Sequence, residues 1–515
     1  MAGVRTQHPE YTNMVNKWER CIDVCKGQDA IHAAGTTYLA QLTDQSNAEY
    51  KNYKERTPFY NATWRTIVGL QGMIFRKPPT VSVPATVEPM LENITLTGTP
   101  LHIFALEAAE ECLKLGRVGI FVDYPAVDTT TATVADAVRE NYRPSMKMYT
   151  ALSITNWKTR TIKNETILSM VVLKECIDIP IDEFESKDQV QYRVLDLTTL
   201  NDVVTGALVG DNVYRVRTIE VRRDEGTGEE VDVVTSTAYP MINGKHLTKI
   251  PFQFIGVDDV DWDIDEPPLI DLIDMNISHY KTTADYEHGC HFTGLPTPVI
   301  SGYQPEVAGE KFYIGSMSAW VFPRSDAKAT YLEFTGQGLT ALKENLEGKA
   351  GYMAILGARM LEVQSGGVEA SDTAAIHRGG EQSMLSSVAQ SISIGLQKAL
   401  TLFAEFASAS GDVKFALNRD FFPIPMDALK LTAIIAGWQN GAYSYDTMFA
   451  NLQQGEIVPM EATPEAEQAA IKANPAPMPM GATTPGNASP KSAKPAATPA
   501  TPAKTITQQQ KGTGN

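Results

Sequence analysis

The residues best suited to chemistry gather near the middle of the chain, where His279, His288, Cys290 and His291 lie close together in sequence. Imidazole and thiolate are good zinc ligands. A metal-dependent hydrolase using His279, His288 and His291 is therefore one reading. However, His288-x-x-His291 crosses Gly289 and an expected helix end, so the spacing does not by itself bring the rings together. Histidines on a partly exposed interface face are the simpler expectation. Just upstream, Asp259-x-Asp261-x-Asp263 begins like a calcium loop, but such a loop needs Gly at its sixth position and Glu at its twelfth. Those positions hold Ile264 and Ile270, so a solvated acidic loop before a helix is expected instead. Glu107, Glu110 and Glu111 share one helix. Nothing in the sequence supplies the facing carboxylate that a glycosidase pair requires.

The common catalytic signatures are absent. The chain has no G-x-x-x-x-G-K-[ST], no G-x-S-x-G, no H-E-x-x-H and no G-x-G-x-x-G, which argues against an NTPase, a serine hydrolase or a common zinc protease. The expectation is a protein that is not an enzyme and holds no cofactor. Residues 428–454 imitate a helix-turn-helix, but the turn Trp438–Ser444 is long and the second helix has neither Arg nor Lys. A recognition helix needs such groups to read base edges and phosphates.

The elements that must position any site belong to a chain of 515 residues with 44 Lys+Arg against 61 Asp+Glu, a net charge of −17. That length suggests about three domains. Tight nucleic-acid binding by counterion release needs basic surface, and so does binding to an anionic membrane. No apolar run reaches the roughly 18 residues of a membrane span, and MAGVRTQHPEYTNMV has no apolar core of a secretory signal. The five cysteines are sparse and odd in number. They read as reduced thiols in a cytosolic setting.

Residues 1–80 read as mostly helical, with Met14, Val15, Trp18 and Ile22 at helical spacing and Phe59–Phe75 stopped by Pro78-Pro79. Pro100–Leu115 is an amphipathic helix ended by Gly116, and Val118–Tyr124 is a short apolar strand. Between Lys147 and Phe254, alternating and β-branched runs are separated by turn signals such as Asn243-Gly244-Lys245. Antiparallel hairpins are expected there. Eight acids and no base occupy 258–274, and Pro267-Pro268 opens a helix through about Cys290. A short β/turn insert follows to Gly338, with strands expected at Thr297–Ser301, Lys311–Ile314 and Ala319–Pro323. Then come a helix over Thr340–Arg359, a loop with Gly366-Gly367, a long helix over Ser371–Ala407 interrupted at Gly379-Gly380, and two helices over 427–454. From Ile471 the chain holds eight prolines, five lysines, and neither acids nor aromatics. It cannot bury enough apolar surface to offset its ordering entropy, so a disordered tail is expected and the body is more acidic than the whole.

This order of elements resembles the portal protein of tailed bacteriophages, the head-to-tail connector, and in particular a subfamily long described only as a domain of unknown function. The matching stretches are Tyr53–Asn61 continuing to Ile74-Phe75-Arg76-Lys77-Pro78-Pro79, Leu115–Pro125, Asn156-Trp157, Lys249-Ile250-Pro251-Phe252 before Pro267–Leu272, and Leu295–Val299. The resemblance covers about residues 50–455 and rests on the ordered set, since no single motif decides it.

The resemblance implies an α+β portal fold. Residues 1–257 would be the wing, helical then antiparallel β; 258–290 the acidic loop and first stem helix; 291–338 the clip; and 339–359 the second stem helix. A tunnel loop over 360–370 would enter a channel, 371–426 would return to the wing, 427–458 would form short crown-side helices, and 459–515 would be the disordered tail. Leu269, Leu272, Ile273, Leu342 and Leu346 would pack the stem. Arg359, Glu362, Gln364, Ser365, Gly366 and Gly367 would form the tunnel loop, and Lys311, Arg324 and Lys328 would dock partners at the clip.

The implied function is a homododecameric ring at one capsid vertex of the virion, assembled in the host cytoplasm, through which double-stranded DNA is packaged and ejected. Its partners would be its own copies, the major capsid or scaffold protein, the large terminase subunit and the head-tail adaptor. DNA would be touched only weakly and without sequence preference, and no membrane would be involved. An acidic wall suits a conduit, because like charge keeps phosphates from sticking. The rival readings are the metal-dependent hydrolase above and a monomeric interaction module tethered by its tail.

Overall fold

The computed structural model describes residues 3–125, 139–201, 208–223, 229–294, 297–301, 328–332, 337–358, 383–421, 426, 428–459 and 462–474. Two compact units divide it, Met1–Pro423 and Ile424–Asn515.

The first unit opens with α1 (Pro9–Lys26), α2 (Gln28–Ala34), α3 (Asn47–Arg56) and α4 (Ala62–Ile74). The starts are written in the sequence. His8 caps α1 through a ring nitrogen that accepts from the Glu10 N–H. Ser46 and Glu49 form a reciprocal capping box on α3, and Asn61 accepts from the Trp64 N–H on α4. β1 (Thr80–Ser82) follows, then α5 (Leu101–Leu115), which stops at Gly116 with φ +78°.

Next come β2 (Arg117–Asp123) and β3 (Ser145–Thr150), then the meander β4 (Ile154–Ile162), β5 (Glu165–Pro180), β6 (Ser186–Asn201), β7 (Leu208–Arg223) and β8 (Glu230–Ala238). β9 (Met241–Ile242) and β10 (Lys245–His246) make a small hairpin before β11 (Phe252–Gly256). The helix α6 (Ile270–Gly294) leads into β12 (Thr297–Ser301), which pairs antiparallel with β13 (Lys328–Leu332), and α7 (Gln337–Ala358) follows. The long α8 (Met384–Phe406) and β14 (Lys414–Ala416) complete the unit, β14 pairing with the distant β1.

The central sheet has the order β11–β2–β3, all antiparallel. β2 is buried along Arg117–Val122 because both its faces are covered. Val118, Ile120 and Val122 face a core shared with α4, α5 and α8. Phe121 faces a second core shared with α1, α6 and the inner surface of the meander. Gly119 is required on that second face. A β-carbon there would run into the Phe252 ring and lie 2.8 Å from Ile154 Cδ1. Arg117 is buried with its guanidinium 4.2 Å from the Trp157 ring centre and 4.1 Å from that of Phe254, and it donates to the Trp262 carbonyl at 3.0 Å.

The antiparallel meander β4–β8 agrees with the hairpins expected from alternation. Its root is tied to the central sheet by Glu175, which accepts from Arg193 Nε at 2.7 Å and Nη2 at 3.2 Å, from Gln191 at 2.7 Å and from the Tyr149 hydroxyl. Burial by itself would raise the Glu175 carboxyl, but Arg193, Tyr149 and Gln191 hold it below the ordinary value of 4.5. A carboxylate depressed in the folded state contributes stability that is complete above its ordinary value and is lost as pH falls through the lowered one. The chain is therefore expected to lose stability on acidification below about pH 4.5, and Glu175→Gln to flatten that part of the profile. Melting temperature against pH checks it.

The second unit holds α9 (Ala428–Gln439), α10 (Tyr445–Gln454) and α11 (Pro464–Ala473). Trp438 meets Tyr445 edge-on at 5.7 Å, and Met448 and Phe449 are buried. The turn between α9 and α10 spans Asn440–Ser444, shorter than expected, because α9 runs on through Trp438. α11 corrects the expectation of a structureless tail from 459. Thr463 accepts from the Ala466 N–H, Pro464 sits in the first turn with Glu465 and Glu467, and Lys472 sits in the last. These end signals outweigh the low apolar content. Residues 475–515 lie outside the described residues.

The paired helices as candidate functional site

α6 and α7 run antiparallel and are held by a narrow seam. Leu339, Leu342, Leu346, Lys349, Met353 and Leu356 are the half-buried or buried side chains of α7. Their spacing alternates three and four, the repeat by which one helix meets another along a single stripe. The helices approach closely at the hairpin end, where a β-carbon on Gly289 would lie 2.6 Å from Leu339 Cδ2. In the middle of the seam the Lys349 ammonium donates to the Ser278 carbonyl at 3.1 Å and to Thr282 Oγ1 at 2.6 Å. Burial lowers its pKa, while Asp285 acts in the opposite sense.

A single polar residue in such a seam fixes register at some loss of stability. Lys349→Met is therefore expected to keep thermal stability within about 1 kcal/mol of the parent. At the same time amide exchange along α7 should rise as the register loosens.

At the other end, both helices are anchored on α4. Asn276 of α6 is fully buried. Its Oδ1 accepts from the Ala62 N–H at 3.1 Å, the Thr63 N–H at 3.1 Å and the Thr63 hydroxyl at 3.0 Å, while its Nδ2 donates to the Tyr60 carbonyl at 2.8 Å. One side chain of α6 thus caps the start of α4 alongside Asn61. One turn later Thr66 packs against Gly357 of α7, within 3.1 Å of where a β-carbon would stand. Tyr53 of α3 adds a bond to Asp285 of α6 at 3.0 Å.

The expected stem residues divide into two groups. Leu269, Leu272 and Ile273 are buried in the two cores of the body, so they root the first helix and do not line the seam. Leu342 and Leu346 lie on the seam itself. The expected boundaries Pro268–Cys290 and Thr340–Arg359 compare with Ile270–Gly294 and Gln337–Ala358. Lys328 is exposed at the start of β13. Lys311, Arg324, Arg359, Glu362, Gln364, Ser365, Gly366 and Gly367 lie outside the described residues, as do the strands expected at 311–314 and 319–323 and the first part of the long helix. Asn276 and Lys349 carry no motif that marks them in the sequence. The three-four spacing around Lys349 was readable there, whereas the partners of Asn276 lie more than two hundred positions away.

The histidines do not converge, which corrects the metal-hydrolase reading. Nine positions along a helix is two and a half turns, so His279 and His288 point to opposite sides. His279 lies 6.0 Å from the Tyr60 ring, and its pKa is lowered first by burial and then by Lys349. His288 meets Tyr53 edge-on at 5.2 Å. With His291, Arg56 and Glu49 it lines a separate cavity of about 390 Å³. Among the described residues no three His, Cys, Asp or Glu side chains are placed to share a metal ion.

The acidic loop is not a calcium loop either. Asp259 accepts from the Asp261 N–H at 3.1 Å, Asp261 from the Asp263 N–H at 2.8 Å, and Asp265 from the Val257 N–H at 2.6 Å. Glu110 and Glu111 are both paired with Lys114 on their own helix. No helix among the described residues is long and apolar enough to cross a membrane.

A family described as a domain of unknown function (DUF4055) matches residues 268–407, the span from α6 to the end of α8. No curated protein matches. Among solved structures the chain is similar to one in the neck of an empty GTA particle computed with C6 symmetry, at 12% identity and a TM-score of 0.36, over 77% of this chain and 91% of that one. It is similar to one in the neck of a native GTA particle computed with C12 symmetry, at 10% identity and a TM-score of 0.36, with the same coverage. It is also similar to one in the virion of a native gene transfer agent particle, at 11% identity and a TM-score of 0.34, over 82% and 98%.

Proposed function

We propose that this chain is the subunit of a ring at one capsid vertex, a portal, through which double-stranded DNA enters and leaves a virion. The observation that carries the reading is the surface of α7. Outside its seam the second half of this 22-residue helix leaves Gly348, Gly351, Tyr352, Ala354 and Ile355 open, Tyr352 and Ile355 at 60% and 51% exposure, whereas Lys343, Glu344, Asn345 and Glu347 are exposed in the first half. A helix that ends its life in solvent carries polar groups there. Small and apolar residues along one side suit the approach of another helix.

The exposed line of α6 carries Asp271, Asp274, Lys281 and Asp285, so the two helices present unlike outer faces. Unlike faces that meet head to tail generate a ring when the rotation closes. The ordered sequence resemblance and the net charge of −17 support the same reading, since an acidic wall lets DNA slide. In this reading the segment between α7 and α8, with Arg359, Glu362, Gln364, Ser365, Gly366 and Gly367, is the tunnel loop. Lys311, Arg324 and Lys328 dock the terminase and later the adaptor. Twelve copies are the expected number. Electron micrographs of the purified chain test the proposal: closed rings with a central hole support it, and open filaments or isolated subunits refute it.

A further inference from the structure

The meander splits at one end, where the β5–β6 and β7–β8 hairpins part: β7 and β8 stay paired three positions further, to Arg223–Glu230, and β5 and β6 reach beyond that. Pairing of β4 with β5 ends at Ile154–Leu173, and pairing of β6 with β7 ends at Gln191–Glu220. Pairing of β5 with β6 continues past both, through Cys176–Val190, Ile177–Gln189, Asp178–Asp188, Ile179–Lys187 and Pro180–Ser186. Those five pairs, at about 3.3 Å each, form a two-stranded ribbon on the order of 15 Å beyond the last β6–β7 pair. An isolated ribbon of this kind is marginal in water.

Its tip is nevertheless ordered by local bonds. Asp182 accepts from the Phe184 N–H and the Glu185 N–H, both at 2.8 Å, and the Ile181 N–H donates to the Glu185 carbonyl at 2.8 Å. This turn presents Ile181 at 60% exposure and Phe184 at 92%, the most exposed large apolar side chain among the described residues. Alternation places Ile177, Ile179 and Ile181 on one face. On the other face Asp178 stands directly opposite Asp188, a like-charge pair that weakens a ribbon. Asp182, Glu183 and Glu185 surround the tip, with Lys187 as its one cation.

Two local rules are broken at one place: an aromatic side chain is held out in water, and two carboxylates face each other. We infer that the β5–β6 ribbon is a docking arm for a partner protein that offers an apolar socket rimmed by lysine or arginine. The socket takes Phe184 and Ile181, and the rim answers Asp178, Asp188, Asp182, Glu183 and Glu185. Nucleic acid and anionic lipid are the wrong charge. The inference does not depend on the ring.

The test uses the full chain in extract of its native source, with a water-soluble carbodiimide that joins carboxylates to amines in direct contact. Phe184→Ser and Asp188→Lys are compared with the parent. The expected result is a link from Asp182, Glu183 or Glu185 to lysines of one partner protein, reduced at least tenfold in both variants. Asp188→Lys should melt no lower than the parent, because it replaces a repulsive pair by an attractive one. Three results overturn the inference: links only between copies of this chain, links spread over many proteins and unchanged in Phe184→Ser, or no link at saturating reagent.

Discussion

Replacing Asn276 by leucine is expected to produce the largest loss of stability of any single change at the helix pair. The leucine fills a similar volume but leaves the Thr63 N–H and hydroxyl without the acceptor they have at 3.1 and 3.0 Å, while the Ala62 N–H and the Tyr60 carbonyl lose one bond each and keep the one they make to each other at 2.9 Å. Thr63 is fully buried, so water does not replace the lost bonds freely. Each buried polar group left unmade costs about 1–3 kcal/mol, so the two groups of Thr63 together cost about 2–6 kcal/mol. Asn276→Asp keeps the acceptor and loses only the donor to Tyr60, and should fall between. Thr63→Val removes one hydroxyl and should cost about 1 kcal/mol. Thermal melts rank the three. Amide exchange at Ala62–Trp64 should rise most in Asn276→Leu, since that variant uncouples α4 from α6. Equal melting of Asn276→Leu and the parent would mean that the two helices are anchored elsewhere.

The second large effect concerns assembly and leaves the subunit intact. Tyr352 and Ile355 are 60% and 51% exposed, so changing both to glutamate removes little packing from the isolated chain. Its melting should move by no more than about 0.5 kcal/mol per site. In a ring the same positions lie against a neighbouring helix, and an unpaired carboxylate buried there is strongly unfavourable. The association constant between subunits should fall on the order of a hundredfold or more. Sedimentation across a concentration series separates the two effects. A fall in melting without a change in mass would assign these residues to the subunit's own core.

Much of this architecture is legible in the sequence, for physical reasons that differ by element. The antiparallel meander is legible because alternation and turn residues are local. β2 is legible as an apolar run, although its burial on both faces depends on Phe252 and Ile255 arriving from 130 positions later. The helices α6 and α7 are legible from Pro267-Pro268 and from periodicity. Leu269, Leu272 and Ile273 look the same in sequence whether they line a helix pair or a body core, because periodicity records that a face is apolar and not what covers it. The joint at Asn276 is illegible for a related reason. An asparagine inside a helix is usually a surface residue, and only the fold brings the start of α4 against it. The histidines illustrate the converse. Their closeness in sequence suggested a cluster, and helical geometry turns His279 away from His288. α11 is hard to read because its short, well-capped run adjoins a long Pro/Ala/Thr-rich stretch.

The account's central claim is that copies of this chain close into a ring, and the mass of the chain in solution tests it most directly. Mass photometry at moderate salt should give one dominant species near a dozen subunits, and Tyr352→Glu/Ile355→Glu should collapse it to single subunits under the same conditions. A parent chain that stays monomeric across a wide range of salt and concentration would contradict the claim and leave the open face of α7 to a different partner.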